Sequence, residues 1–374
     1  MRATVNAKKL ARMITLAEGF VGKKSSNPLL ENYNLFVYDN KLYLNVYNLH
    51  AQNSFLQLWC DAFNCENGKV AVHYKDMQSF KKLKKGDVII EVDEGHTNNP
   101  VKITIDGVCK RIKVYDYWDN PLEPLTGLKD KEIEISSADS EKFKGCLLAC
   151  SKDITREELT GAIIRNGNLV STDGHRLHKF ELSSNETIDG IVPSLLLKFM
   201  STNTGILSYW KAERKDNYFI YGGDDFIMYY AEIRGLYPNF SRVFPNRWEG
   251  KTIISKTRLK EIIKQTVEGY KNALIIFRTY HIDGKDEYCI EGKPIKTTES
   301  WFSKNKIDCG VSDWPAAVAV NAKYALDALE SVQDESIMFA WIDEDSPLWL
   351  GSSKYDNDWV QRPKDGAIIM PMRF

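Results

Sequence analysis

Long apolar runs are absent from this sequence of 374 residues. No stretch approaches the roughly 20 consecutive apolar residues that a membrane-spanning helix needs. The opening residues, MRATVNAKKLAR, lack the apolar core of a secretory signal peptide. We therefore expect a soluble, cytoplasmic protein with no membrane partner.

Cysteine is sparse and forms no metal-binding pattern. The seven cysteines are scattered, and no two of them form a Cys-x-x-Cys pair. This spacing excludes a zinc ribbon and a thioredoxin-type dithiol, and the length argues against a small secreted disulfide framework. We expect free thiols, no metal site and no cofactor.

The common catalytic strings are also missing, since the sequence contains no P-loop, no GxSxG and no HExxH. Asp173, His175 and His178 form the one cluster of histidine and aspartate. In an extended strand, residues 175 and 178 point to opposite faces, so they cannot share a metal ion without distortion. An enzyme is therefore the least favoured interpretation.

An excess of either charge is lacking as well. The chain carries 50 Lys and Arg against 51 Asp and Glu, which gives a formal net charge of −1. This balance argues against a protein that coats nucleic acid with one large basic face. It leaves room for a local basic surface.

One helix signature occurs three times along the chain. Apolar residues recur at helical spacing in each third, which predicts an amphipathic helix with one buried stripe. Asn6 is a suitable N-cap for the first of these helices. The stripes are Leu10, Met13, Ile14 and Ala17; Phe143, Cys146, Leu147 and Cys150; and Leu259, Ile262, Ile263 and Val267.

A second helix and a strand follow in each third. Pro193 suits a first helical position and Asn321 suits a cap. Turns are expected at Asp39-Asn40 and at Gly222-Gly223. The second helices are predicted at Asp76–Lys85, Pro193–Met200 and Ala322–Val332, and the strands after them at Val88–Val92, Gly205–Trp210 and Ser336–Trp341.

This order of elements predicts three repeated α+β domains, each with two helices packed on antiparallel sheets. We place the domains at residues 1–133, 134–250 and 251–374, because proline and glycine mark the connections near 121–127 and 245–250.

Positive charge is concentrated in the predicted helices. The windows 7–17, 76–85, 138–150, 193–200, 256–267 and 322–332 hold 15 basic residues and six acidic ones. Ordinary surface helices mix the two signs. If the six helices point the same way, they form a basic wall that attracts phosphates without sequence preference.

Two strings are more specific than the repeat. The central third contains STDGHRL at 171–177, and the sequence finishes with IMPMRF at 369–374. With the repeat, these strings resemble the bacterial sliding clamp, the β subunit of DNA polymerase III, whose members carry a TDGHRL-like string and end in MPMRL or a close variant. The segment YPNFSRVFP at 237–245 resembles the same family's FPDYxRVxP segment. Phe374, where the family usually has leucine, marks a divergent member.

The resemblance implies a head-to-tail homodimer in which six domains form a ring, with helices lining a central hole. Such a ring encircles duplex DNA and tethers the replicative polymerase, and it performs no bond chemistry. The implied partners are double-stranded DNA, a DNA polymerase, the clamp loader, other proteins with clamp-binding peptides and a second copy of the chain.

The resemblance also implies a cleft, between the second and third domains, that binds a short partner peptide by its apolar anchors. Methionine suits a pocket that serves several partners, because its side chain adapts. From the residues alone, core packing is the preferred interpretation of Met370 and Met372. The residues carried over by motif are Leu159, Thr172, Gly174, His175, Leu177, Pro238, Val243, Ile368, Met370, Pro371 and Met372, with Arg176, Arg242 and Arg373 as hydrogen-bond donors.

Basic residues on the helices and adjoining loops are the candidates for DNA contact: Lys9, Arg12, Lys23, Lys24, Lys81, Lys82, Lys142, Lys152, Arg156, Lys198, Lys260 and Lys264. Each alone is also consistent with an ordinary solvated charge. Ile112, Val114 and Tyr270 are the candidates for the dimer interface, where the strand Lys110–Val114 would meet the region Glu268–Ala273 of the second copy. A scaffold that uses the same cleft without binding DNA is the alternative function.

Overall fold

Helices and strands alternate along the chain in the computed structural model, which describes residues 1–22, 27–48, 54–92, 100–115, 117, 127–212, 217–245, 247–270, 272–295, 303–307, 317–355 and 364–373. The α-helices are α1 (Ala7–Glu18), α2 (Ser137–Leu147), α3 (Ser194–Met200), α4 (Lys256–Thr266) and α5 (Ala322–Ser331). Short 3-10 helices occupy Pro28–Glu31, Tyr74–Lys82, Ile154–Leu159, Phe240–Val243 and Ser353–Tyr355.

The strands up to residue 231 are β1 (Arg2–Asn6), β2 (Asn32–Tyr38), β3 (Lys41–Asn48), β4 (Ser54–Glu66), β5 (Gly68–His73), β6 (Asp87–Glu91), β7 (Val101–Ile105), β8 (Val108–Ile112), β9 (Val114–Tyr115), β10 (Gly127–Ile135), β11 (Gly161–Arg165), β12 (Asn168–Thr172), β13 (Arg176–Glu181), β14 (Ile188–Pro193), β15 (Gly205–Ala212), β16 (Tyr218–Gly223) and β17 (Phe226–Ala231). The later strands are β18 (Gly250–Ser255), β19 (Ala273–Ile282), β20 (Lys285–Pro294), β21 (Ser303–Ile307), β22 (Ala317–Asn321), β23 (Ser336–Trp341), β24 (Leu348–Ser352) and β25 (Gly366–Ile369).

The predicted helix starts are largely confirmed. The Asn6 side chain accepts hydrogen bonds from the first backbone amides of α1, and Asn321 does the same for α5, which satisfies donors that a helix leaves unpaired. Pro193 was expected inside the first turn of α3 but stands one residue before it, as the cap. Its extended backbone belongs to the end of β14, which pairs with β11.

The helix predicted at Asp76–Lys85 is a 3-10 helix that spans Tyr74–Lys82. Its buried side chains are Tyr74, Met77 and Phe80, which recur every three residues. That spacing matches the three residues per turn of a 3-10 helix and not the 3.6 of an α-helix. The described part of the first third therefore has one α-helix, where two helices were expected.

The chain divides into two compact units: unit 1 is Met1–Glu134 with Gly205–Glu232, and unit 2 is Ile135–Thr204 with Ile233–Phe374. In unit 1, one sheet runs in the order β10-β15-β16-β17-β4-β1-β6-β7-β8, and β3, β2, β5 and β9 branch from β4. The apolar stripe of α1 is fully buried on this sheet. The boundaries predicted at 133 and 250 stay predictions.

Both predicted turns lie in unit 1. Asp39 and Asn40 have left-handed backbones (φ 48° and 53°) between β2 and β3, as a tight hairpin requires. The turn predicted at Gly222-Gly223 is wrong. Both glycines belong to β16 and pair with Ile227 and Phe226 of β17. The Cβ-free surface of Gly223 lies against the ring of Phe226, so this glycine serves close packing and the chain turns after it.

Unit 2 contains an eight-stranded sheet, β14-β11-β12-β13-β25-β24-β23-β18, and a four-stranded sheet, β21-β20-β19-β22. Helices α4 and α5 pack on both sheets, and α2 and α3 pack on the first. The other face of the eight-stranded sheet is covered by the segment 237–248, where Tyr237, Phe244 and Trp248 pack on Trp349 and its neighbours. None of the helices in the described residues is long and apolar enough to cross a membrane.

Candidate functional site

The STDGHRL string forms a tight turn between β12 and β13. Asp173 Oδ1 accepts hydrogen bonds from the amides of His175 and Arg176 at 3.0 and 3.1 Å. Thr172 Oγ1 donates to the Arg176 carbonyl at 2.6 Å and accepts from the Gly174 amide at 3.1 Å. Gly174 has φ +90°, a conformation that side chains disfavour. The residue types in the string therefore hold one rigid turn, with Gly174 and His175 exposed at its tip.

Arg176 lies beneath this turn and is only 5% exposed. Its Nε donates to Asp173 Oδ2 at 3.0 Å, its Nη1 to Asp327 Oδ2 at 2.5 Å, and its Nη2 to the carbonyl of Leu148. The guanidinium carbon lies 4.4 Å from the ring centre of Tyr324. One side chain therefore joins the turn, the residue after α2, and α5.

The carboxylate of Asp327 is held ionised by these neighbours. Burial acts to raise its pKa, but hydrogen bonds from Lys323 and Arg176 outweigh burial and lower the pKa below its usual value. Both cations bind the same oxygen, Oδ2, at 2.7 Å for Lys323 Nζ and 2.5 Å for Arg176 Nη1. A buried arginine balanced by two carboxylates needs no further counter-charge.

The segment 370–373 connects the two sheets of unit 2. The Met370 amide donates to the His175 carbonyl at 2.9 Å, and the Met372 amide donates to the Ala319 carbonyl of β22 at 2.8 Å. Just before them, β25 pairs with β13. Met370 is 38% exposed, and Pro371 and Met372 are partly exposed. The backbone of the segment is thus fixed while its methionines stay accessible.

An apolar wall lies next to this segment. Leu177 and Ile368 are paired neighbours on β13 and β25, and both belong to one buried cluster against which Val243 packs. Tyr237 closes the cluster and donates its hydroxyl to the Val170 carbonyl at 3.2 Å. A wall of apolar side chains bordered by fixed polar groups is what an anchored peptide requires.

The other residues predicted for the cleft are spread around this wall. Leu159 is buried in the 3-10 helix before β11, and Pro238 is half-buried at the start of the covering segment. Arg242 and Arg373 are exposed, so their guanidinium groups are accessible donors. Arg176 differs from them, because its three nitrogens already donate within the fold.

Sequence analysis missed Tyr324 and Asp327 as parts of this site. Both lie in the α5 helix, off its fully buried residues, and the nearest signal was the Asn321 cap, whose side chain accepts from the Tyr324 amide. The ring of Tyr324 also lies near-parallel to His175, with centroids 6.5 Å apart. No local pattern indicates that α5 meets a turn about 150 residues earlier.

Five of the twelve basic residues predicted to contact DNA form close ion pairs with acidic side chains. Lys9 Nζ lies 2.7 Å from Asp61, and Arg12 makes a two-point contact with Asp225 at 2.9 and 3.0 Å. The remaining pairs are Lys81 with Glu18, Lys142 with Asp139, and Lys260 with Glu330. Asp61 and Asp225 lie outside the helix windows, so the excess of positive charge in those windows overstates the free charge on the helices.

Exposed lysines without ion pairs remain. In the part of the chain that the structure describes, Lys82, Lys152, Lys198 and Lys264 are exposed and make no salt bridge. Arg156 is exposed and lies 3.8 Å from Glu158. Lys23 and Lys24 lie outside the described residues. The contact of any of these residues with DNA stays a prediction.

The predicted dimer residues differ in exposure. Ile112 is 2% exposed and pairs with Val101 inside its own sheet, whereas Tyr270 is 42% exposed. Val114 is half-buried in β9. The strand β8 ends the sheet order of unit 1, and β21 ends that of the four-stranded sheet. Such edges offer unpaired backbone groups to a second chain.

His175 and His178, the two histidines of the predicted cluster, lie in different environments. His175 is exposed, while His178 is buried and binds the Gly145 carbonyl through Nδ1 at 2.9 Å. Across the described residues, no group of three or more histidine, cysteine, aspartate or glutamate side chains is placed to hold a metal ion.

Solved structures share this fold over their whole length. The DNA polymerase III subunit beta of Pseudomonas aeruginosa matches with a TM-score of 0.77 at 19% identity, the Helicobacter pylori beta clamp bound to a DNA ligase peptide with 0.76 at 18%, and Caulobacter crescentus pol III beta with 0.76 at 16%. Each comparison covers 100% of both chains. No family model and no curated protein matches the sequence. The chain therefore has the fold of the bacterial β clamps, which confirms the expected α+β clamp architecture.

Proposed function

We propose that this chain is a DNA sliding clamp, which closes as a head-to-tail homodimer around duplex DNA and tethers a DNA polymerase. In this proposal the protein is a non-catalytic processivity factor, a clamp loader opens the ring, and other proteins compete for the same cleft. The observation that carries the proposal is the correspondence with β clamps over 100% of both chains.

The cleft supports the peptide part of the proposal. A relative with the same fold was solved with a DNA ligase peptide, and the chain places accessible methionines beside a wall formed by Leu177 and Ile368. An extended peptide would pack its apolar side chains on Met370 and on the partly exposed Pro238 and Val243 beside this buried wall, and Met370 would adapt to different anchors. The fixed turn at 172–176 would keep the wall open for binding.

The ion pairs of the basic residues favour a ring that encloses DNA over a surface that binds DNA tightly. Because Lys9, Arg12 and Lys260 are paired with acids, these three cations are less available to displace counterions from phosphates. Affinity for DNA would then be low, and its dependence on salt would be shallow, because the slope of log affinity against log salt scales with the number of phosphates neutralised. A closed ring does not need high affinity, because retention depends on topology, and weak contacts permit sliding.

The test combines mass and topology. Light scattering at micromolar concentration should give twice the chain mass of 42.9 kDa. Protein assembled on nicked circular plasmid should stay bound in moderate salt and be released when the plasmid is cut once. A monomer, or complexes that survive cutting, would contradict the ring. A dimer that binds the ligase-type peptide but never circular DNA would favour the scaffold.

A further inference from the structure

We infer that Arg176 is a positioning residue of the peptide cleft, which joins the 172–176 turn to α5 and does not itself contact the peptide. The peptide is part of the proposed function, so this role in binding rests on it. The joining of the two elements rests on the structure alone.

The first argument is burial. The Arg176 side chain is 5% exposed, and its Nε, Nη1 and Nη2 each donate a hydrogen bond inside the fold. A peptide could reach this guanidinium only by displacing Asp173 or Asp327, which would leave a charge buried without its partner. That exchange is costly, because a broken buried pair leaves an uncompensated ion.

The second argument is that the three hydrogen-bond partners of Arg176 lie in different elements of the fold. Asp173 is in the turn, Leu148 follows α2, and Asp327 is in α5. The three elements are far apart in sequence, and Arg176 contacts all of them within hydrogen-bond distance. Loss of the planar guanidinium fork would remove the hydrogen bonds that tie the turn to α5 and to the end of α2, although α2 and α5 also pack on each other.

The third argument is that a chain of contacts connects Arg176 with Met370. The Tyr324 ring lies over the guanidinium at 4.4 Å and near-parallel to His175. The His175 carbonyl accepts the Met370 amide at 2.9 Å. A shift of the Arg176 side chain would therefore move Tyr324 and His175, and through His175 the backbone that carries Met370.

Arg176→Lys tests this inference, because it keeps the charge and removes the fork. Asp327→Asn removes the charge on the α5 partner and keeps its size. Lys323→Ala is the matched control, since it deletes an exposed cation bound to the same Asp327 oxygen. Methionine methyl groups labelled with carbon-13 report on residues 370 and 372 by NMR without peptide, and fluorescence anisotropy with a labelled DNA ligase peptide reports affinity.

We expect Arg176→Lys and Asp327→Asn to shift both methyl signals and to weaken peptide binding at least tenfold, and their double variant to be no weaker than the worse single one. Lys323→Ala should stay within twofold of wild type. If Arg176 contributed only to stability, the variants would lose peptide affinity in proportion to the fall in their melting temperature. The methyl shifts of the folded fraction would then stay unchanged.

Unchanged methyl shifts with binding within twofold in Arg176→Lys would overturn the inference. If Arg176→Lys does not fold, Asp327→Asn decides by the same criteria. If wild type does not bind the peptide although the methyl shifts move, the proposed function fails and the positioning role stands. If wild type binds and both variants bind equally well, the positioning role fails and the proposed function stands.

Discussion

His178 should make the protein lose stability as the pH falls below neutrality. Its ring is fully buried between β13 and α2, and Nε2 has no hydrogen-bond partner among the described residues. Nδ1 donates to the Gly145 carbonyl, so protonation would place an unpaired N–H and a charge in the core. Burial lowers the pKa of His178 to about 4, despite that hydrogen bond.

The size of the effect follows from linkage. The unfolded chain binds this proton near the ordinary histidine pKa of about 6.5, whereas the folded chain binds it only near pH 4. Between these values the unfolded state carries more protons, so stability falls as the pH falls. Relative to pH 8, His178 should cost about 2 kcal/mol at pH 5 and about 3 kcal/mol at pH 4.

Urea unfolding between pH 8 and pH 4 measures this cost as a difference between variants. His178→Asn places an amide nitrogen near the position of Nδ1 and cannot titrate, so its free energy of unfolding should fall less with pH than that of wild type. His281→Asn is the control, because that histidine is 80% exposed. The reasoning is refuted if His178 titrates near pH 6.5 in NMR spectra of the folded protein, or if wild type and His178→Asn lose equal stability.

Three further outcomes are expected. Met370→Ala should weaken binding of the DNA ligase peptide about tenfold in fluorescence anisotropy with an unchanged melting temperature, since this side chain is exposed and is proposed to line the cleft; unchanged affinity would remove it from the proposed cleft. Lys198→Gln should lower the slope of log affinity for duplex DNA against log salt by about 0.9 for each phosphate that the protein no longer neutralises, and Lys9→Gln by less, because Asp61 already binds Lys9; equal slopes would show that ion pairing does not matter. Gly366→Ala should cost about 1–3 kcal/mol in thermal unfolding, because its Cβ would lie 2.5 Å from the Leu350 carbonyl oxygen; Gly222→Ala, which meets nothing within 4 Å, is the control.

Local signals carried most of the correct expectations. The apolar stripes and the Asn6 and Asn321 caps located helices to within a few residues, and the strand predicted at Ser336–Trp341 has those bounds. These features depend on neighbours within one or two turns of chain. The helix predicted at Asp76–Lys85 did not use the three-residue spacing of Tyr74, Met77 and Phe80, which favours a 3-10 helix.

Contacts between distant segments could not be predicted. Strand β4 pairs with β17, which lies about 170 residues later. Asp225, directly before β17, forms an ion pair with Arg12 of α1. The same limit hid the Arg176–Asp327 pair at the centre of the candidate cleft. The strings at 171–177 and 369–374 indicated which residues meet, but only coordinates show which of them bind each other and which face outward.

The anchoring of residues 370–372 has a consequence for biosynthesis. Ribosomes translate this segment after every other part of the cleft, and it is bonded at both the His175 and the Ala319 carbonyls. A nascent or prematurely terminated chain could form most of its strands and still lack Met370 and Met372, the methionines to which partners are proposed to bind. Under the proposed function, a copy that lacks residues 370–372 would therefore fail to bind partners even if its sheets had formed.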